Sequence, residues 1–506
     1  MILKPALSPD VFLDMKQLGE ACNAFSTPAQ VMDVVLKQAK TCPVVSMEYP
    51  FENYRSSFYR KPRAADGPLK NFYLGGGLQV WKGHYSSAHV GQNYVPFLNF
   101  DTSYTAFVDD VPVLQFVCDV LASRQHGSSN WNLQTLPLDV SLQKIELQQL
   151  SKLLKDVKVK ALHNDFCYKI SAISHKSAEE FKFDYSESPS GPVKLISVVE
   201  YFRTQHKFRL KFVNLPVLIV GKNKALPMEV CEIRTGQKYN RKLNEDQTAQ
   251  IIKVACLSAP EREKAIMQQF AEAKIANDLW AQSFGFSVEP KMTEVEGTVL
   301  PPPRLLYQHN RSDHVTPRDG VWKLSQGMTF LKPGVVQKWG LISFLSSHEE
   351  RLIRRFAKEL AQTCQCAGIS MSLEPDCVEF LTNGSRLGDC MNYMVEQGRK
   401  EGKEMNLIVV LLERKGTYLY GEVKRYGEIE IGIATQCVVS RNVFKVTTPT
   451  LHQIAQKINV KVGGINNQLE EESSTRQFLE EKPTLILGID STIPGADDTK
   501  TPVIAA

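Results

Sequence analysis

No stretch of this 506-residue chain is long and apolar enough to cross a bilayer, for its longest uninterrupted aliphatic run, Leu407–Leu412, is six residues where a span needs about twenty. The opening MILKPALSPD lacks the charged-then-apolar layout of a signal peptide, so a cytoplasmic location is expected, with the nucleus as a second. The eleven cysteines, scattered from Cys22 to Cys437, form no CxxC pair, which argues for reduced thiols. Neither they nor the ten histidines supply the two close ligand pairs of a structural zinc site. The signatures GxxxxGK[ST], strand-linked GxGxxG, GxSxG and HExxH are also missing, which excludes the enzyme classes built on them. Charge of one sign is scarce too: a net +5 is too small to imply a polyanion partner by itself, so any nucleic-acid signal must be local. What remains is ordinary globular composition, 43% hydrophobic and 23% charged, and a length that suits three or four domains at about 150 residues each.

Hydrophobic periodicity divides the chain. Near the start a helix is predicted over Pro28–Lys40, with Val31, Val34, Val35 and Leu36 as its apolar positions. Aromatic-rich strands follow at Leu78–Gly83 and Phe97–Phe107, then a helix at Val111–Ala122. Residues 145–262 read as mostly β, with period-two alternation at Val157–Lys160, Cys167–Ile170, Phe181–Phe183 and Lys207–Phe212. In the last of these Phe208, Leu210 and Phe212 share one face and Lys207, Arg209 and Lys211 the other. Such a strand suits either the floor of a polyanion groove or a solvated edge charged against aggregation. A helix over Pro260–Leu279 and the proline-rich Val299–Arg304 read as linker.

From residue 347 the pattern alternates as in a doubly wound sheet. Helices are predicted at Glu349–Ala367, Asp389–Lys400, Tyr420–Tyr426 and Pro449–Ile458, and strands at Met371–Leu373, Leu407–Leu412 and Ile429–Ala434. A further apolar strand is predicted at Leu485–Asp490. Within this region Tyr420 and Lys424 are four residues apart, as are Lys457 and Lys461, so each pair shares a helix face. With Gln436 and Asn442 near by, these faces suit a terminal phosphate with a base stacked on the tyrosine. Two solvated lysine faces would produce the same spacing.

The run Tyr420–Gly464, containing GEVKR, IGIATQCV, TTP and KINVKVGGINN, resembles the MID domain of eukaryotic Argonaute proteins of the Argonaute branch. Val198–His206, Asn214–Gly221 and Leu226–Ile233 are similar to their PAZ domain, and Asp246–Thr248, Ser258–Pro260 and Thr293–Pro303 to the linker after it. The resemblance implies a multidomain α/β and β fold: a remnant of the N domain over 1–70, a first linker over 71–122, an OB-like β-barrel PAZ domain over 123–240, a second linker over 241–340, a Rossmann-like MID domain over 341–468, and the opening of a truncated RNase H-like PIWI domain over 482–506.

It also implies a role in RNA silencing. The partners would be a small single-stranded guide RNA of the microRNA or siRNA kind, its target RNA and silencing-complex proteins, with neither membrane nor DNA. The guide 5′-phosphate would be held by Lys424, Gln436, Asn442, Lys457 and Lys461, with Tyr420 stacking the first base and the loop Arg414–Tyr418 beside it. The 3′ end would lie among His163, Tyr168, Phe181, Tyr201, His206 and Leu226, although the family's basic run before its tyrosine is absent around Phe166. Of the carboxylates that hold two Mg²⁺ ions in slicing relatives only Asp490 is matched, so the chain itself is expected to need no cofactor and to bind without cleaving. Two alternatives are a complete parent that is a slicer, and a scaffold or dominant-negative form that holds no RNA.

Overall fold

A computed structural model describes residues 3–5, 26–41, 51–90, 95–122, 131–186, 192–221, 224–307, 314–323, 327–400, 402–413, 418–470, 474–492 and 502–505. They fall into two units, Met1–Val295 with Ile489–Ala506, and Glu296–Gly488.

In the first unit α1 (Ser26–Thr41) buries Met32, Val35 and Leu36, while Val31 and Val34 face solvent. The spacing i, i+3, i+4 selects that stripe over the neighbouring valines. The strand β1 (Ser57–Arg60) packs beside a long antiparallel hairpin, β2 (Leu78–Val90) and β3 (Pro96–Val108). Gly83 makes this possible, because a Cβ there would sit 1.9 Å from Phe58 O. Under the sheet Arg60 donates to both oxygens of Asp66, at 2.6 and 2.7 Å, in a pair whose side chains are 4% and 3% exposed. The helix α2 (Val113–Ala122) turns Val113, Phe116, Val117, Val120 and Leu121 into the core.

The same core continues into the β module. After α3 (Lys144–Leu154) come β4 (Lys158–Ala161), β5 (Cys167–Lys169), β6 (Ala172–Ser177), the hairpin of β7 (Lys182–Tyr185) and β8 (Lys194–Ser197), α4 (Val198–Gln205), β9 (Pro216–Ile219), β10 (Ala225–Pro227) and β11 (Cys231–Ile233). Two antiparallel sheets, in the orders β11-β4-β5 and β10-β9-β6, enclose Leu154, Val159, Ile170, Val217 and Leu218. The alternation led to a mostly β module, and these two three-stranded sheets form it around one core.

The Lys207–Phe212 strand is not formed. Lys207 takes a left-handed φ of 51°, the amides of Lys211 and Phe212 donate to the Glu229 carboxylate at 2.9–3.1 Å, and Phe208 stays 42% exposed while Leu210 is buried. A side-chain carboxylate has satisfied the amides that a neighbouring strand would have taken. Downstream, the helix expected to reach Leu279 ends earlier, as α5 (Ala259–Glu272), with Lys274 at a φ of 51°.

The second unit is a four-stranded parallel sheet of β12 (Lys338–Ser343), β13 (Cys377–Phe380), β14 (Met405–Leu412) and β15 (Ala434–Val439) in the order β13-β12-β14-β15. The helices α6 (Glu350–Cys366), α7 (Leu387–Lys400), α8 (Tyr418–Lys424), α9 (Ser440–Phe444) and α10 (Thr448–Lys461) cover it. Leu407–Leu412 is fully buried, as an all-apolar central strand should be. Thr447 caps α10 at the amide of Thr450, with Pro449 in its first turn.

Three strand expectations need correction. The strand placed at Met371–Leu373 is Cys377–Phe380 instead, because the Met371 and Ser372 carbonyls accept from the Gln365 and Trp339 side chains. Ile429–Ala434 is not a strand before Ala434, since α8 runs on as a π-turn over Arg425–Ile431 that Gly432 closes at a φ of 76°. Leu485–Asp490 forms no strand and pairs with none of the described strands, and Leu485, Ile486, Leu487 and Ile489 are 74–82% exposed. Among the described residues no helix is long and apolar enough to cross a membrane.

Candidate functional site

The helix α8 and its π-turn deliver Lys424 to the first residues of β15, and α10 delivers Lys461 to the same place. Lys461 Nζ donates to Thr435 O at 2.7 Å and to Gln436 Oε1 at 2.8 Å. Lys424 Nζ donates to Thr435 Oγ1 at 3.0 Å, to Thr435 O at 3.4 Å and to Glu428 Oε1 at 2.7 Å. Gln436 Nε2 is held by Cys437 O at 2.9 Å, which fixes the amide oxygen towards Lys461. The Tyr420 ring, 46% exposed, has the Lys424 ammonium 5.9 Å from its centroid. Two ammonium groups thus meet at one backbone carbonyl. The cost is visible in Lys461, whose pKa is lowered by burial and then by Lys424, with Lys457 acting in the same direction. An anion arriving here would relieve that repulsion.

Of the six residues predicted for this end, Tyr420, Lys424, Gln436 and Lys461 are brought together. Lys457 contributes only its charge, and Asn442, half-buried on α9, makes no hydrogen bond to the group. The site lies at the amino-terminal end of β15, whereas ligands of doubly wound sheets usually sit at the carboxyl ends. Residues 414–417 of the loop expected beside the first base lie outside the described residues. Sequence reasoning missed Thr435 and Glu428. The second was legible as the i+4 partner of Lys424, while Thr435 enters mainly through its backbone and left no signal.

A second cluster is aromatic. His163 and His206 meet edge-on with centroids 4.6 Å apart, and Tyr201 lies 5.4 Å from His206. Phe202, Phe183 and Tyr185, which the pattern did not single out, complete the cluster around Tyr201 and His163. Burial, and then the neighbouring His206, lower the His163 pKa, and its Nδ1 is buried without a hydrogen-bond partner. Tyr168 stands apart from these rings. It lines an open cavity of about 710 Å³ with Lys169, Ile170, Val220 and Lys224, and the Lys224 ammonium lies 5.6 Å from its ring centroid. Phe181 is half-buried against the core, and its carbonyl accepts from the first amide of α4. Leu226 is 6% exposed and paired with Leu218 in the β9–β10 ladder, so the structure places it in the core of the module.

Asp490 is exposed, with its carboxylate accepting from the Ser491 amide at 2.7 Å. Among the described residues no group of three His, Cys, Asp or Glu side chains is placed to hold a metal. Asp490 therefore stands without the partner carboxylates that a two-metal centre needs among the described residues.

Comparison with known proteins adds five matches in chain order. They are the Argonaute linker 1 domain over residues 54–109, the PAZ domain over 135–252, the Argonaute linker 2 domain over 261–307, the Mid domain of argonaute over 316–397 and the Piwi domain over 407–506. Protein argonaute 1B of Oryza sativa subsp. japonica is 33% identical over 524 residues, covering 100% of this chain and 44% of that protein. Protein argonaute 10 of Arabidopsis thaliana is 29% identical over 506 residues, covering 96% and 47%. The chain spans about half the length of the curated relatives it matches. Among solved structures, Kluyveromyces polysporus Argonaute with a guide RNA shares the fold at a TM-score of 0.60 and 15% identity, over 92% of this chain and 53% of that one.

Proposed function

Because this chain belongs to the Argonaute family, we propose that it binds a small guide RNA and takes part in RNA-directed silencing, as a microRNA or siRNA carrier. The 5′-phosphate would enter between Lys424, Lys461 and Gln436, with the first base on Tyr420 and the charge of Lys457 in support. The 3′ end would reach the rings of Tyr201, His206 and His163, with Tyr168 and Phe181 at the margin. The observation that carries the reading is the convergence of two lysines on Thr435 O at 2.7 and 3.4 Å, two like charges with the single carboxylate of Glu428 beside one of them. The solved relative with a guide RNA supports RNA as the ligand class. Target RNA and silencing proteins, in the cytoplasm and the nucleus, are the expected partners. Cleavage is not assigned to this chain, and Mg²⁺ would belong to a complete slicing parent.

The test is a titration of the whole chain with one RNA of about 21 nucleotides carrying either a 5′-phosphate or a 5′-hydroxyl. One lost charge-assisted contact is worth about 1.5–3 kcal/mol, so the phosphorylated form should bind at least about tenfold more tightly. Equal affinity for the two would overturn the reading.

A further inference from the structure

The anion pocket carries an anion of its own. Glu428 Oε1 lies 2.7 Å from Lys424 Nζ, and that ammonium has no proton to spare, because the other two face Thr435 Oγ1 at 3.0 Å and Thr435 O at 3.4 Å. The carboxylate is held there by more than the reach of a flexible side chain. Glu428 lies in the π-turn, next to Gly427, whose backbone is so close to β15 that a Cβ would meet Thr435 Cγ2 at 2.4 Å. Ile433 N donates to Gly427 O at 2.7 Å and fastens the turn against the strand. The charge also reaches past Lys424: Glu428 raises the pKa of Lys461 against the lowering by burial and the other lysines, and it raises that of Cys437.

We propose that Glu428 is the internal counter-anion of this pocket, holding Lys424 in the free protein and yielding it to an incoming phosphate, so that it sets how tightly and how selectively a phosphate is taken. The proposal rests on the phosphate reading given above. A phosphate monoester carries close to two negative charges at neutral pH and three acceptor oxygens. It can accept the proton that Lys424 gives to Glu428 and the one that Lys461 does not use, both at once. A hydroxyl end brings no charge to exchange and leaves the Lys424–Glu428 pair closed. Binding is thus an exchange of one anion for a stronger one, and the carboxylate acts as a threshold against weaker ones.

Three proteins separate this from a general field effect: the wild type, Glu428→Gln, and Glu422→Gln, which removes a carboxylate paired with Arg425 at 2.8 Å on the same helix. The first probe is inorganic phosphate, followed by ³¹P line broadening, and the second is the phosphorylated and hydroxyl RNA pair. Removing a competitor of ordinary ion-pair strength should lower the half-saturating phosphate concentration, and the dissociation constant for phosphorylated RNA, about three- to fivefold. Glu422→Gln should change neither. The salt dependence for phosphorylated RNA should steepen in Glu428→Gln, because a freed Lys424 then gathers solution anions that binding releases. Unchanged or weaker phosphate binding by Glu428→Gln would overturn the proposal, as would an equal gain in Glu422→Gln. If the wild type shows no preference between the two RNAs, the guide reading fails, and the inorganic phosphate titration still decides the role of Glu428.

Discussion

Replacing Lys461 by methionine keeps most of the unbranched side chain and removes its charged end. Lys461 donates to Thr435 O and Gln436 Oε1 at 2.7 and 2.8 Å, so two of its three protons are spent inside the protein and one remains for an incoming oxygen. One charge-assisted hydrogen bond is worth roughly 1.5–3 kcal/mol, and at about 1.4 kcal/mol per tenfold step the loss should be about ten- to a hundredfold for phosphorylated RNA. Hydroxyl RNA, which does not engage that proton, should lose less than about threefold. The substitution also strips the buried Gln436 of its donor, an unsatisfied polar group costing about 1–3 kcal/mol, so melting of the free protein must be followed alongside.

The pH profile separates the two effects. Burial and Lys424 depress the Lys461 pKa, while a bound phosphate favours the charged form. Binding therefore takes up a proton once the pH passes the depressed value, and wild-type affinity should fall with rising pH before the ordinary lysine range near 10.4 is reached. Glu428 and Cys437 act on this group in the raising direction and Lys457 in the lowering one, so the same profile is to be read in Glu428→Gln alongside. Lys461→Met should lack the early fall. Equal losses for both RNAs, or an early fall that survives in the methionine variant, would refute the assignment of Lys461 to the phosphate.

Two further outcomes concern the scaffold. Asp66→Asn takes the two-pronged partner from the buried Arg60 and leaves Glu272, at 3.0 Å, as its counter-ion, so it should cost about 1–3 kcal/mol in denaturant unfolding. Burial would raise the Asp66 pKa, but Arg60, the Arg63 amide and Lys82 together outweigh it and hold the carboxylate below its ordinary value; the contribution of these contacts is therefore present above the usual aspartate range and lost as the pH falls below about 4, a loss the asparagine variant should not show. Gly427→Ala places a Cβ 2.4 Å from Thr435 Cγ2, which should cost about 1–3 kcal/mol and weaken phosphate binding. Thr435→Ser in the same chain removes the clashing methyl and should restore both; failure to restore them would show that the π-turn does not set the pocket through this contact.

Much of this protein was legible in the residues alone, where a single physical requirement decided the outcome. A six-residue all-apolar run such as Leu407–Leu412 suits a strand covered on both faces, and Thr447 with Pro449 suits the start of a helix. The spacing of Tyr420 with Lys424 and of Lys457 with Lys461 put each pair on one helix face, because helical periodicity is local. What spacing could not decide was which faces meet. That Lys424 and Lys461 share Thr435 O while Lys457 and Asn442 hold back depends on how α8, the π-turn and α10 pack on β15. The same limit explains the failures. Lys207–Phe212 alternates as a strand should, but its amides went to Glu229, seventeen or eighteen residues away. Leu226 sits in a segment of the expected pattern, but its ladder partner Leu218 buries it. Glu428, four residues from Lys424, was in plain view in the sequence, yet only the structure shows its carboxylate 2.7 Å from Lys424 Nζ at the edge of the pocket. Local chemistry chose the elements, and the long-range competition for each buried donor, acceptor and charge chose which of them became a site.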